Sequence, residues 1–185
     1  MFLKLKGSTT NNLRHNGFTL LELLVVIAII SILASIVFTS VGRAKDKAYY
    51  SRAKIEYKSI VTALELYFAD NEEYPPDANR NVPPGLEQYL ATSEGVDVWP
   101  SAPWPGSVYD WENWEDPDNY GEKIYQISIR FCPAGGELED CSFPNEDWAE
   151  GFGVNSSVYY CVSGACRSHI NESIDYPGYC VNCEN

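Results

Sequence analysis

From Phe18 to Val41 the chain runs for 24 residues with a single charge, Glu22. At about 1.5 Å rise per residue a helix of that length crosses a hydrocarbon core of roughly 30 Å. No proline lies between Phe18 and Asp70 and Gly42 is the only glycine there, so the helix is expected to continue into water for several turns. Past Gly42 the pattern changes: Tyr50, Ala53, Tyr57, Ile60, Val61, Leu64 and Phe68 recur at the spacing of one helix face laid on a core. Asn71 and then Pro75 and Pro76 end it. A period of two appears at 123–131, where Tyr125, Ile127, Ile129 and Phe131 alternate with Gln126, Ser128 and Arg130, predicting a strand with one buried and one wet face. Segments 157–162 and 165–170 read as a hairpin around Ser163 and Gly164. Between helix and strands, residues 75–121 carry the turn signals Pro83-Pro84-Gly85 and Trp99 to Gly106. An ordered irregular loop is expected there, pinned by Trp99, Trp104, Trp111 and Trp114, with a short helix at 85–90.

These elements predict an α+β fold. A long N-terminal helix, half in the membrane and half packed on the head, carries a small antiparallel sheet. The expected boundaries are 1–17 as a leader, 18–72 as the long helix with its membrane part at 18–41, and 73–185 as a disulfide-rich head large enough for one core. Within the span, Ser31, Ser35 and Thr39 recur every four residues beside Ala28, Ala34 and Gly42, a spacing that lets helices approach closely in lipid. Glu22 stands out, because an ionised group in hydrocarbon needs a partner or a purpose.

Charge divides the rest. Residues 42–58 hold six bases against two acids, whereas 59–185 hold four bases against 23 acids. The basic stretch suits anionic lipid headgroups, acidic neighbouring heads or a solvated helix face. With a net charge of −13 for the chain, the head offers no basic surface for phosphates, which excludes nucleic acid as a partner.

The residues Gly17, Phe18, Thr19, Leu20, Leu21 and Glu22 resemble the class III signal of type IV pilins and type II secretion pseudopilins. The phrase at 63–75, ALELYFADNEEYP, resembles the helix end of pilins and, more closely, of the major pseudopilin. The resemblance implies that residues 1–17, basic and free of acid, are a leader cut by a prepilin peptidase after Gly17. It implies that Phe18 becomes the N-methylated mature terminus and that Glu22 is the family's fifth-position acid. A free amine sits badly against the positive end of the helix dipole. A carboxylate one turn in relieves that and can pair with a neighbour's amine, setting an axial stagger. The implied function is a non-enzymatic structural subunit of a type IV pilus or type II secretion pseudopilus, polymerising through the apolar helix into a helical filament of itself. The implied partners are the peptidase, an assembly ATPase and an inner-membrane platform. The subunit would cross the inner membrane once, head outside, before entering a periplasmic or extracellular filament. A secretory signal peptide fits less well, since its apolar region is shorter and ends at small residues.

Six cysteines, Cys132, Cys141, Cys161, Cys166, Cys180 and Cys183, all fall in the last third. Their even number beyond a membrane span points to disulfides. Cys132 with Cys141 is the favoured pair, and a turn at Ser163-Gly164 sets Cys161 opposite Cys166, leaving Cys180 with Cys183. The rival is a zinc site from Cys161, Cys166, Cys180 and Cys183, with His169. A second metal candidate is calcium in the acid-rich stretch 110–121, with Asp110, Asp116 and Asp118 as ligands. The resemblance supports it, because major pseudopilins carry calcium in a head loop. The stretch does not complete an EF-hand motif, since Ile127 stands at the twelfth position from Asp116. A solvated acidic loop is the alternative. For catalysis no nucleophile and base pair can be assembled from the sequence. A membrane-anchored adhesin or carbohydrate-binding protein, using the Trp-rich loop, is the alternative function.

Overall fold

A computed structural model describes residues 18–169 and 177–183. The chain falls into two compact units, Met1–Ser40 and Val41–Asn185. Helix α1, Leu20–Asn71, runs for 52 residues and is the one helix among the described residues long and apolar enough to cross a membrane. In the first unit its Leu, Ile, Val and Phe side chains stand exposed from Phe18 to Phe38. The hydroxyls on that stretch are satisfied within the helix: Ser31 donates to the Ile27 carbonyl at 2.7 Å and Ser35 to Ile32 at 2.8 Å. A helix apolar all round, with its polar groups bonded internally, is what hydrocarbon demands.

In the second unit the same helix becomes one-sided. Ala53, Tyr57, Ile60, Ala63 and Leu64 are fully buried, while Lys54, Ile55 and Lys58 face outward. Phe68, expected on the core face, lies largely exposed against Tyr74, with ring centres 4.8 Å apart. The helix stops at Asn71, whose side-chain amide donates to the Tyr67 carbonyl at 2.8 Å. Glu72 then turns left-handed (φ 62°), its N–H donating to the Phe68 carbonyl at 2.8 Å. A single 3₁₀ turn at Glu87–Tyr89 follows.

The head carries a two-residue ladder, β1 (Ala91–Thr92) with β2 (Gly95–Val96), and a four-stranded sheet. The sheet is ordered β3 (Val108–Glu115), β4 (Lys123–Arg130), β5 (Ser157–Ser163), β6 (Tyr179–Cys180). The first three run antiparallel, with Trp111 opposite Ile127 and Ile127 opposite Tyr160; β6 lies parallel to β5. Tyr109, Trp111, Ile127, Ile129, Phe131 and Val158 pack in one core with Tyr57, Ile60 and Leu64 of α1. The Tyr57 hydroxyl donates to the Val158 carbonyl at 2.7 Å, joining helix to sheet inside that core.

Three expectations are corrected here. The stretch read as an irregular loop contains β3, an eight-residue strand. The hairpin does not form: among the described residues, 164–169 contain no strand, and Tyr179–Cys180 takes the edge beside β5. Gly164 has φ 89° and sits so close to the Lys123 carbonyl that a Cβ would overlap it. The chain therefore turns across β4 instead of back along β5. The wet face of β4 is the third: Gln126 and Ser128 are fully buried and Arg130 nearly so. The segment after Gly164 covers them. Arg167 donates its N–H to Gln126 Oε1 at 3.0 Å, and the Arg167 carbonyl accepts from Gln126 Nε2 at 2.6 Å.

Side-chain bonds meet the outer strand β3 and the part of β5 that β6 leaves unpaired. Along β3, Arg80 N–H donates to Asp110 at 2.7 Å, Asn113 N–H to Asp77 at 3.3 Å, and the Asn113 amide to the Pro75 carbonyl at 2.8 Å. Beyond the short β6, the Asn182 amide accepts from Cys161 N–H at 2.8 Å and donates to the Cys161 carbonyl at 2.7 Å, as a further strand would.

Glu56 is the buried acid of α1. Ser93 donates its hydroxyl to one carboxyl oxygen, and the other, Oε2, is buried without a partner. Burial raises this carboxyl above its ordinary value, against the pull of the Ser93 bond and Arg52. Between the two values the native state keeps a proton that the unfolded chain has released, so Glu56's contribution is full below its unfolded value and falls as pH rises through the native one. Glu56→Gln should raise the melting temperature by a few degrees at neutral pH, the gain vanishing near about pH 4. Thermal melts of the full chain in detergent, followed by near-ultraviolet circular dichroism, check this; a gain independent of pH would contradict it.

Candidate functional site

The first turn of α1 is built by a reciprocal pair. Thr19 stands at the N-cap, and its hydroxyl accepts from Glu22 N–H at 3.2 Å. Glu22 Oε2 in return accepts from Thr19 N–H at 2.9 Å and from the Thr19 hydroxyl at 2.8 Å. This is a capping box: it satisfies two of the N–H groups that every helix leaves unpaired at its start and places a negative charge at the positive end of the dipole. Among the described residues Glu22 Oε1 accepts no bond, so the carboxylate keeps one oxygen for a further donor. Phe18 precedes the cap, exposed; Gly17 lies outside the described residues. Thr19 was missed as a functional residue, although Thr-x-x-Glu before an apolar run is a recognisable signature.

Of the three acids expected for calcium, Asp116 and Asp118 come together and Asp110 lies apart. Asp110 and Asp116 are six positions apart along extended chain, about 20 Å. Asp110 faces a buried cluster, where Arg130 bonds Glu112 and lies 3.4 Å from Asp110. Burial pushes the Glu112 carboxyl up to about 8 against the pull of Arg130. Asp116 and Asp118 meet Arg167 instead, at 2.7 and 2.6 Å. Hydrogen bonds hold the Asp116 carboxyl below its ordinary value, the Asp118 N–H first among them. Among the described residues no three His, Cys, Asp or Glu side chains are grouped to hold a metal ion.

The six cysteines form three bridges, Cys132–Cys141, Cys161–Cys166 and Cys180–Cys183, with Cα atoms 4.2, 5.6 and 5.5 Å apart. All four thiols of the zinc alternative are thereby taken up. Two tryptophans of the expected binding loop are core residues: Trp104 and Trp111 are buried, and Trp111 donates to the Pro75 carbonyl at 3.0 Å, whereas Trp114 lies half-buried beside His169, ring centres 6.3 Å apart. Trp99 packs half-buried against Tyr109. Trp99, Trp104 and Trp111 thus serve the head's core.

A built helix start with an acid at its third turn position, followed by an apolar surface exposed on all sides, defines a chain made to pack its helix against others. Comparison with known proteins names the class. The family model for the prokaryotic N-terminal methylation motif matches residues 12–38. Type II secretion system core protein G of Aeromonas hydrophila is 36% identical over 103 residues, covering 52% of this chain and 71% of that protein. The corresponding protein of Pectobacterium carotovorum is 44% identical over 62 residues, 34% of this chain and 40% of the relative. The type IV major pilin protein PilA of Myxococcus xanthus is 38% identical over 68 residues, 37% of this chain and 31% of the relative. No solved structure matches the chain. The chain belongs to the family of pilins and type II secretion pseudopilins.

The cap is testable by itself. Thr19→Val keeps the shape but removes the hydroxyl, and should loosen the first turn by about 1 kcal/mol. Amide exchange at residues 20–23 in detergent should quicken by about fivefold, while Thr19→Ser should leave it unchanged. Equal exchange in all three chains would show that the box contributes nothing.

Proposed function

We propose that this chain is a structural subunit of a filament, a type II secretion pseudopilus or a type IV pilus, polymerising through the first half of α1. The observation that carries the reading is the exposed apolar stretch from Phe18 to Phe38, whose single charge is Glu22 and which the methylation motif matches. An apolar surface of this extent is stable only in lipid or against other helices. The longer stretch shared with core protein G, 71% of that relative against 31% of the pilin, favours the pseudopilus.

In the proposed mechanism a prepilin peptidase cuts after Gly17 and the new Phe18 amine is methylated. Before assembly the subunit waits as a single-pass protein of the inner membrane, its bases at 42–58 near the headgroups and its acidic head outside. An assembly ATPase and a membrane platform would then extract it into the filament. Glu22 has two duties in this scheme. Oε2 serves the capping box of its own helix, and Oε1 accepts the Phe18 ammonium of a neighbour, matching subunits at a fixed axial stagger.

Two measurements test the reading. On co-expression with a prepilin peptidase, intact-mass analysis should find 17 residues removed and an N-methylated Phe18; a full-length chain, or a cut near Ala34, would refute it. Glu22→Ala should be inserted, cleaved and folded yet form no filaments, because it removes the neighbour's partner and is no member of the head's core. Glu22→Asp should give intermediate yield, keeping charge but losing reach. Normal filaments from processed Glu22→Ala would end the proposed pairing.

A further inference from the structure

We propose that Arg167 is the resident cation of the β3–β4 turn, and that this turn therefore completes its fold without calcium. The turn runs from Asp116 to Glu122 and is closed by Asp116 N–H donating to the Glu122 carbonyl at 2.9 Å and Glu122 N–H to the Asn119 carbonyl at 3.0 Å. Asp116 is 3% exposed, so its carboxylate needs a full set of partners. Oδ1 accepts from Asp118 N–H at 3.0 Å and from Arg167 Nη2 at 2.7 Å; Oδ2 accepts from the Asn119 amide at 3.1 Å. Arg167 Nη1 donates to Asp118 Oδ2 at 2.6 Å, and Nε donates to the Ala165 carbonyl at 3.3 Å. Every nitrogen of the guanidinium is thus used, and the group bridges the two carboxylates.

Calcium asks for six to eight oxygens at about 2.3–2.6 Å, arranged around an open centre. Here the carboxylates face a planar fork, for which bidentate pairing of arginine is suited. Arg167 is also delivered by a fixed backbone. The residue before it is bridged to Cys161 on β5, and its own N–H and carbonyl are both held by the buried Gln126 amide of β4. The cation is therefore part of the chain, anchored to two strands, and needs no uptake from the medium. Neither the apolar helix nor filament assembly enters the arrangement.

The test uses the oxidised full chain in detergent. The wild-type protein should melt at the same temperature in EGTA and in millimolar calcium, and calorimetric titration with calcium chloride should give no saturable heat. Arg167→Gln should lower the melting temperature by about 5 °C in EGTA and speed amide exchange at residues 116–122 by roughly tenfold. Arg167→Lys, which keeps the charge but not the fork, should recover part of both losses. Stoichiometric calcium binding that raises the wild-type melting temperature would overturn the proposal. So would an Arg167→Gln chain that melts and exchanges like wild type.

Discussion

One unbroken helical backbone has to satisfy two solvents, and the rest of the molecule follows from that. In its first half no peptide group can turn to water, so every one must be bonded within the helix and even the serine hydroxyls fold back onto it. In its second half the same helix supplies the wall of a core, and Ala53, Tyr57, Ile60, Ala63 and Leu64 must be covered. The sheet answers that need: Tyr109, Trp111, Ile127, Ile129 and Val158 present one apolar face to the helix stripe. The Tyr57 hydroxyl then ties the two layers where neither can reach solvent.

The sequence made the helix, its two characters, its end near Asn71 and the strand β4 legible, because each rests on local periodicity. β3 was not legible for a physical reason. Its Tyr109 and Trp111 alternate with Asp110 and Glu112, and acids at those positions read as solvated loop. They are tolerated inside because Arg130, twenty and eighteen residues away, comes to meet them. No local pattern announces a partner at that distance. The outward face of β4 was misread in the same way, since Gln126 and Arg130 look wet until the segment after Gly164 crosses over them. Of the site, Phe18 and Glu22 were visible as motif positions, Thr19 only as an overlooked signature. The bridge Cys180–Cys183 followed by default; its use, presenting Asn182 to β5, shows only in the folded chain.

The head's few bases are spent inward. Of the four in residues 59–185, Arg130 and Arg167 neutralise buried acids and Arg80 donates to the Cys132 carbonyl at 2.5 Å. Most of the 23 acids of that region are left without a base of their own, so the outer surface of the head is strongly anionic. Such a surface keeps heads soluble and apart through mutual repulsion, which salt screens over about 8–10 Å. Attraction between copies must then come from elsewhere on the chain.

The side-chain caps along the sheet edges bear on this. A sheet with free edges is a growth point, because any extended strand can add to it. Here the stretch 75–80 occupies the outer side of β3, and the Asn182 amide finishes the side of β5 that the short β6 leaves bare. At Asn113 and Cys161 the pairing offered to an incoming strand is already taken, so strand addition there would first have to displace it. Under the proposed function, such occupied edge positions favour joining of copies through the apolar helix over joining through the sheet.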